Sequence, residues 1–146
     1  MDLLPLASLP ERRKDVAPAT PTPDSELSPH ILLVEDHAGL ARMMRLTLEL
    51  KGYRVDIAAS QHEARAQLAA QSFDMLVCDL GLPDGSGLEL MALRPPGLPR
   101  RAIAFSGNGS PEDIERSIAA GFLEHLTKPV DPEQLIGAIE RVAKLV

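Results

Sequence analysis

The sequence predicts an α/β fold, a doubly wound parallel sheet of five strands covered by five helices. Two observations predict it. From His30 onward short apolar runs alternate with helical patterns, and the apolar runs are continuous, as in strands buried on both faces. Strict alternation of strand and helix requires crossover connections, which are right-handed within one sheet. The length of 146 residues, 45% of them hydrophobic, suits one domain of this kind.

Composition excludes several classes of protein. The single cysteine, Cys78, excludes an intramolecular disulfide, and with only 4 histidines no familiar zinc-ligand pattern can be built. A net charge of −6 and an aromatic content of 3% argue against a nucleic-acid surface. No apolar run is long enough to span a bilayer. We therefore expect a cytoplasmic chain that contacts neither nucleic acid nor a membrane.

The amino-terminal segment differs from the rest in proline content. Residues 1–29 hold 6 of the 13 prolines and show no sustained apolar periodicity, so we predict a disordered linker there. It does not resemble a signal peptide, because Asp2 replaces the basic start and Pro5 interrupts a short apolar stretch. The predicted domain covers residues 30–146.

The first two strand–helix units lie between residues 31 and 70. Ile31–Val34 is predicted as a buried strand, and a helix over 38–51 is followed by Gly52 as its stop. A second strand, Tyr53–Ala58, directs Val55 and Ile57 inward, and an Ala-rich helix spans 61–70. The predicted apolar face of the first helix comprises Leu40, Met43, Met44, Leu48 and Leu50.

Three more units complete the predicted fold. Phe73–Cys78 is a strand, followed by the loop GLPDGSG and a short helix from Leu88. A fourth strand spans Ala102–Phe105, and Ser110 is the predicted N-cap of a helix that ends near Gly121. The last unit is a strand over 123–126 and a helix over 132–145.

Polar residues of particular types follow four of the predicted strands. Strand one leads into Glu35 and Asp36, strand three into Asp79, strand four into Ser106 and strand five into Lys128. Ligands of open parallel sheets bind at the carboxyl ends of the strands, so these side chains are expected to converge there. Any one of them alone would be read as a cap, a turn residue or a solvated charge. Five at the same ends of four strands favour a functional site.

The chemistry of this set favours phosphoryl transfer. Clustered carboxylates need a cation, and hard oxygen ligands without sulfur or imidazole suit Mg²⁺. Lys128 and Ser106 supply a positive charge and a donor for phosphoryl oxygens. Asp79 is then the candidate nucleophile, forming an aspartyl phosphate.

Four stretches, LLVEDH, VCDLGLPDGSG, AFSGNG and HLTKPVD, resemble the motifs of response-regulator receiver domains in order and separation. The resemblance covers residues 30–146 and implies a flavodoxin-like topology. It also implies that Asp79 is the phosphoacceptor. Asp36, Asp79 and the backbone carbonyl of Gly81 would bind Mg²⁺ directly, whereas Glu35, in place of the commoner Asp, would act through water.

The same resemblance assigns roles to the later motifs. Ser106 is the switch hydroxyl, Lys128 neutralises the phosphoryl group, and Pro129 follows it in a peptide bond that is often cis. Asn108 and Gly81 lie where the rate of phosphoryl loss is tuned. His125 lies where receivers usually carry Tyr or Phe as a rotameric switch. Its imidazole makes a pH-sensitive signal a possibility, with packing at the sheet edge as the alternative.

The resemblance implies a phosphorylation-controlled switch, not an enzyme, that takes its phosphoryl group from a histidine kinase or a histidine phosphotransfer protein. Two alternatives remain: an interaction module that ignores phosphorylation, and a small-molecule phosphohydrolase, which normally needs a second Asp where Gly81 lies. The chain is expected to be a stand-alone regulator or the carboxy-terminal receiver of a hybrid histidine kinase. A homodimer is compatible with either.

Overall fold

The computed structural model describes residues 29–107 and 109–145, so the predicted linker up to residue 28, Asn108 and Val146 lie outside it. Five strands alternate with five helices, as predicted. The strands are β1 (His30–Val34), β2 (Arg54–Ala58), β3 (Met75–Asp79), β4 (Ala102–Ser106) and β5 (Glu124–Thr127). The helices are α1 (Ala38–Leu50), α2 (Gln61–Ala70), α3 (Gly87–Leu93), α4 (Pro111–Ala120) and α5 (Pro132–Ala143).

The five strands form one parallel sheet in the order β2-β1-β3-β4-β5. The order reverses direction at β1, because the chain first moves outward to β2 and then returns past β1 to β3. Such a switch point leaves a crevice beyond the carboxyl ends of the two central strands. This confirms the predicted doubly wound, flavodoxin-like fold and shows where a ligand site is expected.

The core consists of two apolar clusters, one on each face of the sheet. Along β1, Ile31 and Leu33 belong to one cluster, whereas Leu32 and Val34 belong to the other, and all four are fully buried. Helices α1 and α5 cover the first face, and α2 and α3 cover the second. The strand is therefore apolar at each position from Ile31 to Val34, because successive side chains point to opposite faces and both faces are covered.

Short polar side chains begin the helices. Ser60, Ser86, Ser110 and Asp131 each accept a hydrogen bond from a backbone N–H in the first turn of the helix that follows. Pro111 and Pro132 occupy first-turn positions, where a missing N–H costs nothing. The predicted cap at Ser110 is confirmed.

The predicted buried face of α1 is only half right. Met44 and Leu48 are buried together with Ala41, but Met43 is 50% exposed and Leu50 is 87% exposed. The helix stops one residue earlier than predicted, with Lys51 at its C-cap and Gly52 beyond it at a φ of 94°. Leu50 is thus the last residue of the helix and points into solvent.

Other boundaries shift by one or two residues. Strand β3 begins at Met75 and not at Phe73. The Asp74 carboxylate just before it accepts a hydrogen bond from the backbone N–H of His30 at the entrance of β1. Strand β5 is displaced by one residue, to Glu124–Thr127. The loop after β3 contains a small antiparallel hairpin that was not predicted, in which Gly81–Leu82 pairs with Gly85–Ser86. Among the described residues no helix is long and apolar enough to cross a membrane.

Candidate phosphoacceptor site

The predicted polar residues converge at one end of the sheet. Glu35 and Asp36 follow β1 directly, Asp79 is the last residue of β3, Ser106 is the last of β4, and Lys128 follows β5. Neighbouring parallel strands end at the same level, since Asp79 is in register with Phe105 and Ser106 with Thr127.

Lys128 pairs with two buried carboxylates. Its Nζ lies 2.9 Å from Oδ2 of Asp79, within hydrogen-bonding geometry, and 3.2 Å from Oε1 of Glu35. The second contact lies off the hydrogen-bonding direction, so Oε1 has an ion pair but no hydrogen bond. The other oxygen of Glu35 accepts a hydrogen bond of 2.9 Å from the backbone N–H of His37. Since the side chains of Glu35 and Asp79 are 0% and 5% exposed, Lys128 is their main charge compensation.

The electrostatics of the pair follow from this burial. Desolvation raises the pKa of Glu35, and the charge of Asp79 adds to the rise, whereas the His37 amide and Lys128 oppose it. Desolvation alone would lower the pKa of Lys128, but its contacts with Asp79 and Glu35 outweigh desolvation and raise it. Lys128 therefore stays protonated, and the two carboxylates retain an excess of negative charge.

The excess charge fits a divalent cation. One oxygen each of Glu35, Asp36 and Asp79 can be chosen so that all three lie within 4.8 Å of one another. Asp36 is exposed and the other two are buried, so the cluster opens to solvent on one side. An oxygen-only donor set with one open side suits an ion that keeps several waters. The residues present thus fit the predicted metal site.

A tight turn orients Asp79. The backbone N–H of Gly81 donates a hydrogen bond of 3.0 Å to Oδ1 of Asp79, opposite the oxygen that Lys128 contacts. A Cβ at Gly87 would lie 2.7 Å from the backbone oxygen of Asp79 and 2.8 Å from Sγ of Cys78. Only a glycine allows α3 to start this close to the end of β3. The Gly81 carbonyl as a metal ligand stays a prediction.

Asp84 anchors the loop that contains this turn. It accepts hydrogen bonds of 2.8 and 2.9 Å from the backbone N–H groups of Gln61 and His62 at the start of α2, and these bonds lower the pKa of Asp84. The side-chain amide of Gln61 donates in return to the backbone oxygen of Ser86, at 2.7 Å. The loop after β3 is therefore tied to the start of α2 at its middle, through Asp84, and at its carboxyl end, through Ser86.

Ser106 and His125 form a direct side-chain pair across β4 and β5. Oγ of Ser106 lies 3.0 Å from Nε2 of His125. Burial lowers the pKa of His125, and the nearby carboxylate of Asp113 opposes this effect. The Nδ1 atom of the ring is buried and has no hydrogen-bond partner among the residues that the structure describes. The imidazole thus occupies the predicted switch position and already contacts the predicted switch hydroxyl.

Lys128 is also placed by its own backbone. Its N–H donates 2.7 Å to the backbone oxygen of Ser106, and its Nζ lies 5.4 Å from the centre of the Phe105 ring. The Lys128–Pro129 peptide bond is cis, as the resemblance implied.

Comparison with known proteins identifies the family. The sequence profile of the response regulator receiver domain matches residues 31–140. The chain belongs to this family. A receiver domain is a phosphorylation-controlled switch, and the chain is a domain of this kind.

A regulatory protein of known name is similar to this chain over part of its length. The chain is 34% identical over 112 residues to the alginate biosynthesis transcriptional regulatory protein AlgB of Pseudomonas aeruginosa, which aligns 76% of this chain but only 25% of AlgB. The chain therefore spans about a quarter of that regulator's length.

Two solved structures show the same fold. A CheY-like receiver domain from Methanospirillum hungatei superposes with a TM-score of 0.71 and 33% identity, covering 80% of this chain and 95% of the other. A response regulator from Burkholderia pseudomallei, solved with a phosphorylated aspartic acid, a calcium ion and citrate, superposes with a TM-score of 0.66 and 27% identity. That comparison covers 79% of this chain and 71% of the other.

The cleft of this receiver extends beyond the residues that the sequence indicated. An open cleft of about 550 Å³ has Asp79, Ser106 and Lys128 in its lining, together with Asp113 and Arg116 of α4. The spacing of Asp113 and Arg116 is helical, so the sequence shows that they share a face of α4. Which face looks into the cleft follows only from how α4 packs between α3 and β5.

Cys78, although adjacent to Asp79, is buried, and burial raises the pKa of its thiol strongly. The thiol is therefore protonated and unreactive at neutral pH.

Proposed function

We propose that Asp79 of this receiver accepts a phosphoryl group from a phosphohistidine of a histidine kinase or a phosphotransfer protein. One carboxylate oxygen of Asp79 forms a bond to phosphorus, the phosphorus–nitrogen bond of the donor breaks, and its electron pair returns to the imidazole. The observation that carries the proposal is the contact of 2.9 Å between the buried Asp79 and Lys128, at the wall of an open cleft.

Each side chain has a distinct part in this step. Lys128 already holds one oxygen of Asp79 and is placed to neutralise charge that develops on the phosphoryl group. The Gly81 N–H fixes the other oxygen and so orients the nucleophile. Ser106 supplies a hydroxyl at the same cleft.

The proposed cofactor is Mg²⁺, held by Asp36 and Asp79, with Glu35 acting through water and the carbonyl of Gly81 as a further ligand. When bound, Mg²⁺ would neutralise and orient the phosphoryl oxygens. The support is the three-carboxylate cluster, which has oxygen donors only and opens to solvent at Asp36.

The proposed output is a change in the Ser106–His125 pair. A phosphoryl group on Asp79 attracts the hydroxyl of Ser106, and this competes with the bond of 3.0 Å to His125. His125 is then released or turned, which changes the surface of β5 and α4. We propose that the chain promotes its own phosphorylation as the phosphoacceptor and does not act as an enzyme on other molecules.

The test is uptake of a phosphoryl group from acetyl phosphate or phosphoramidate with MgCl₂, followed by intact-mass spectrometry. We expect a gain of one phosphoryl group by the wild type and by Asp56→Asn, a matched control on β2, and none by Asp79→Ala. A gain that persists in Asp79→Ala refutes the assignment. If beryllofluoride leaves the binding of a partner kinase domain unchanged, the phosphorylation-independent alternative gains support instead.

A further inference from the structure

The phosphoacceptor cleft has a second cation that the proposed mechanism does not use. Helix α4 contributes Asp113 and Arg116 to the lining that includes Asp79, Ser106 and Lys128. Among the described residues that line this cleft, Lys128 and Arg116 are the cationic ones. Lys128 is already committed to two carboxylates, whereas the ion pair of Arg116 within the described part of the chain is with Asp113, its neighbour on the helix.

The charge balance of the site leaves a place for Arg116. Three carboxylates face one ammonium group, so the site has two negative charges in excess. A phosphoryl group on Asp79 adds roughly one more at neutral pH. A divalent cation neutralises two of these three, and one negative charge stays uncompensated, next to the cleft that Arg116 lines.

The present partner of Arg116 holds it weakly. A guanidinium nitrogen lies 3.2 Å from Oδ1 of Asp113, and the Arg116 side chain is 64% exposed. The Asp113 side chain is 21% exposed, but a helical pair between residues three apart contributes little when one partner lies mostly in water, because water competes for that charge. Exchanging this carboxylate for a phosphoryl group therefore has a low cost.

Asp113 does not become unpaired when Arg116 leaves. Its other oxygen accepts a hydrogen bond of 2.9 Å from Oγ of Ser110, and it lies in the first turn of α4, where the helix dipole favours a negative charge. Asp113 is therefore stabilised both while it is paired with Arg116 and after Arg116 has moved to the phosphoryl group.

We propose that Arg116 is a phosphoryl-binding residue that moves from Asp113 to the phosphoryl oxygens in the cleft. The planar guanidinium can donate two parallel hydrogen bonds to phosphoryl oxygens, which a lysine cannot do. Arg116 would then contact both the donor phosphate and the aspartyl phosphate. This inference rests on the proposed role of Asp79, and it assigns to α4 a direct contact with the phosphoryl group.

The experiment compares four proteins with the full chain length: wild type, Arg116→Gln, Asp113→Asn and, as a matched control, Arg65→Gln on the exposed face of α2. Two quantities are measured with MgCl₂ in excess. One is the apparent dissociation constant for beryllofluoride, which stands in for the phosphoryl group, and the other is the second-order rate constant of phosphorylation by acetyl phosphate.

We expect Arg116→Gln to weaken beryllofluoride binding about three- to tenfold, as the loss of one partly exposed charge-assisted contact would, and to slow phosphorylation similarly. Arg65→Gln should change neither quantity. Asp113→Asn should tighten binding about twofold, because it removes the competitor for Arg116 but keeps a side chain that can bond Ser110. The opposite signs separate phosphoryl binding from a structural role, since damage to α4 would weaken binding in both variants.

The inference is overturned if Arg116→Gln binds beryllofluoride like the wild type, if Arg65→Gln is equally impaired, or if Asp113→Asn weakens binding. The proposed function fails separately: in that case the wild type itself takes up no phosphoryl group on Asp79.

Discussion

Removing the ammonium group of Lys128 tests the electrostatic design of the site. Lys128→Met keeps most of the alkyl chain but leaves the carboxylates of Glu35 and Asp79 close together without their main cation. Both are almost fully buried, at 0% and 5% side-chain exposure. The contact of Nζ with the Phe105 ring, 5.4 Å from its centre, is lost as well.

The size of the effect follows from burial. Breaking a fully buried ion pair costs roughly 3–5 kcal/mol, because a charge remains without compensation. The Lys128 side chain is 28% exposed, so water reaches part of the vacated space, and we expect a loss of about 2 kcal/mol. For an ordered domain of this size the melting temperature should fall by about 8 °C.

The loss should depend on pH in a defined direction. The raised pKa of Glu35 means that the folded state favours its neutral form, so this contribution to stability is present in acid and is lost as the pH rises above 4.5, its ordinary value. Without Lys128 that pKa rises further, since one of the influences that lower it is removed. The variant therefore gains more from acidification than the wild type, and the difference between them should shrink from about pH 7.5 to about pH 5.

Urea unfolding in EDTA at several pH values measures this difference, with Lys51→Met as the control on an exposed lysine. Glu35→Gln in the Lys128→Met background should restore part of the stability at neutral pH. The reasoning is refuted if Lys128→Met costs no more than Lys51→Met, or if its deficit grows as the pH falls.

Three further predictions concern the rest of the site. Burial lowers the pKa of His125, so the neutral imidazole stabilises the fold, and this contribution is lost as the pH falls below 6.5. The free energy of unfolding should therefore fall less in His125→Phe than in the wild type between about pH 7.5 and 5.5, and equal losses would contradict this. Gly87→Ala places a methyl group 2.7 Å from the backbone oxygen of Asp79. It should lower the free energy of unfolding by about 1–3 kcal/mol and slow phosphorylation, whereas no change in either would show that α3 can shift freely. MgCl₂ at about 100 times its dissociation constant should add about 2.7 kcal/mol to the free energy of unfolding, and an undiminished gain in Asp36→Asn would exclude Asp36 as a ligand.

Much of the fold could be predicted because the apolar pattern is locally simple. β1 is apolar at each position from Ile31 to Val34 since both faces of the sheet are covered, and this pattern distinguishes it from a half-exposed strand. The cap at Ser110 and the stop at Gly52 are likewise local, because each depends on one side chain or one backbone angle. The wrong predictions for Met43 and Leu50 concern a helix whose sequence carries more apolar residues than its buried stripe can use.

Part of the candidate site could also be predicted from the sequence, and part of it depends on the tertiary structure. Because parallel strands end at a common edge of the sheet, polar residues at the strand ends are expected to lie close together. This argument alone predicted the cluster of Glu35, Asp36, Asp79, Ser106 and Lys128. Two contacts of the site depend on rotamers and on the register of β4 against β5. One is the contact of Lys128 with a particular oxygen of Asp79, and the other is the bond between Ser106 and His125. The sequence does not contain that register explicitly.

The sequence by itself determined the fold class, the order of its elements and the edge of the sheet that carries the site, because each follows from periodicity and short-range chemistry. Only the tertiary structure decided that Arg116 and Asp113 line the cleft and that a hairpin follows β3. It also decided that Glu35 is buried while Asp36 is exposed. These facts depend on how α4 packs beside α3 and β5 and on how the loops fold over the sheet, and such packing is set by contacts between residues far apart in the chain.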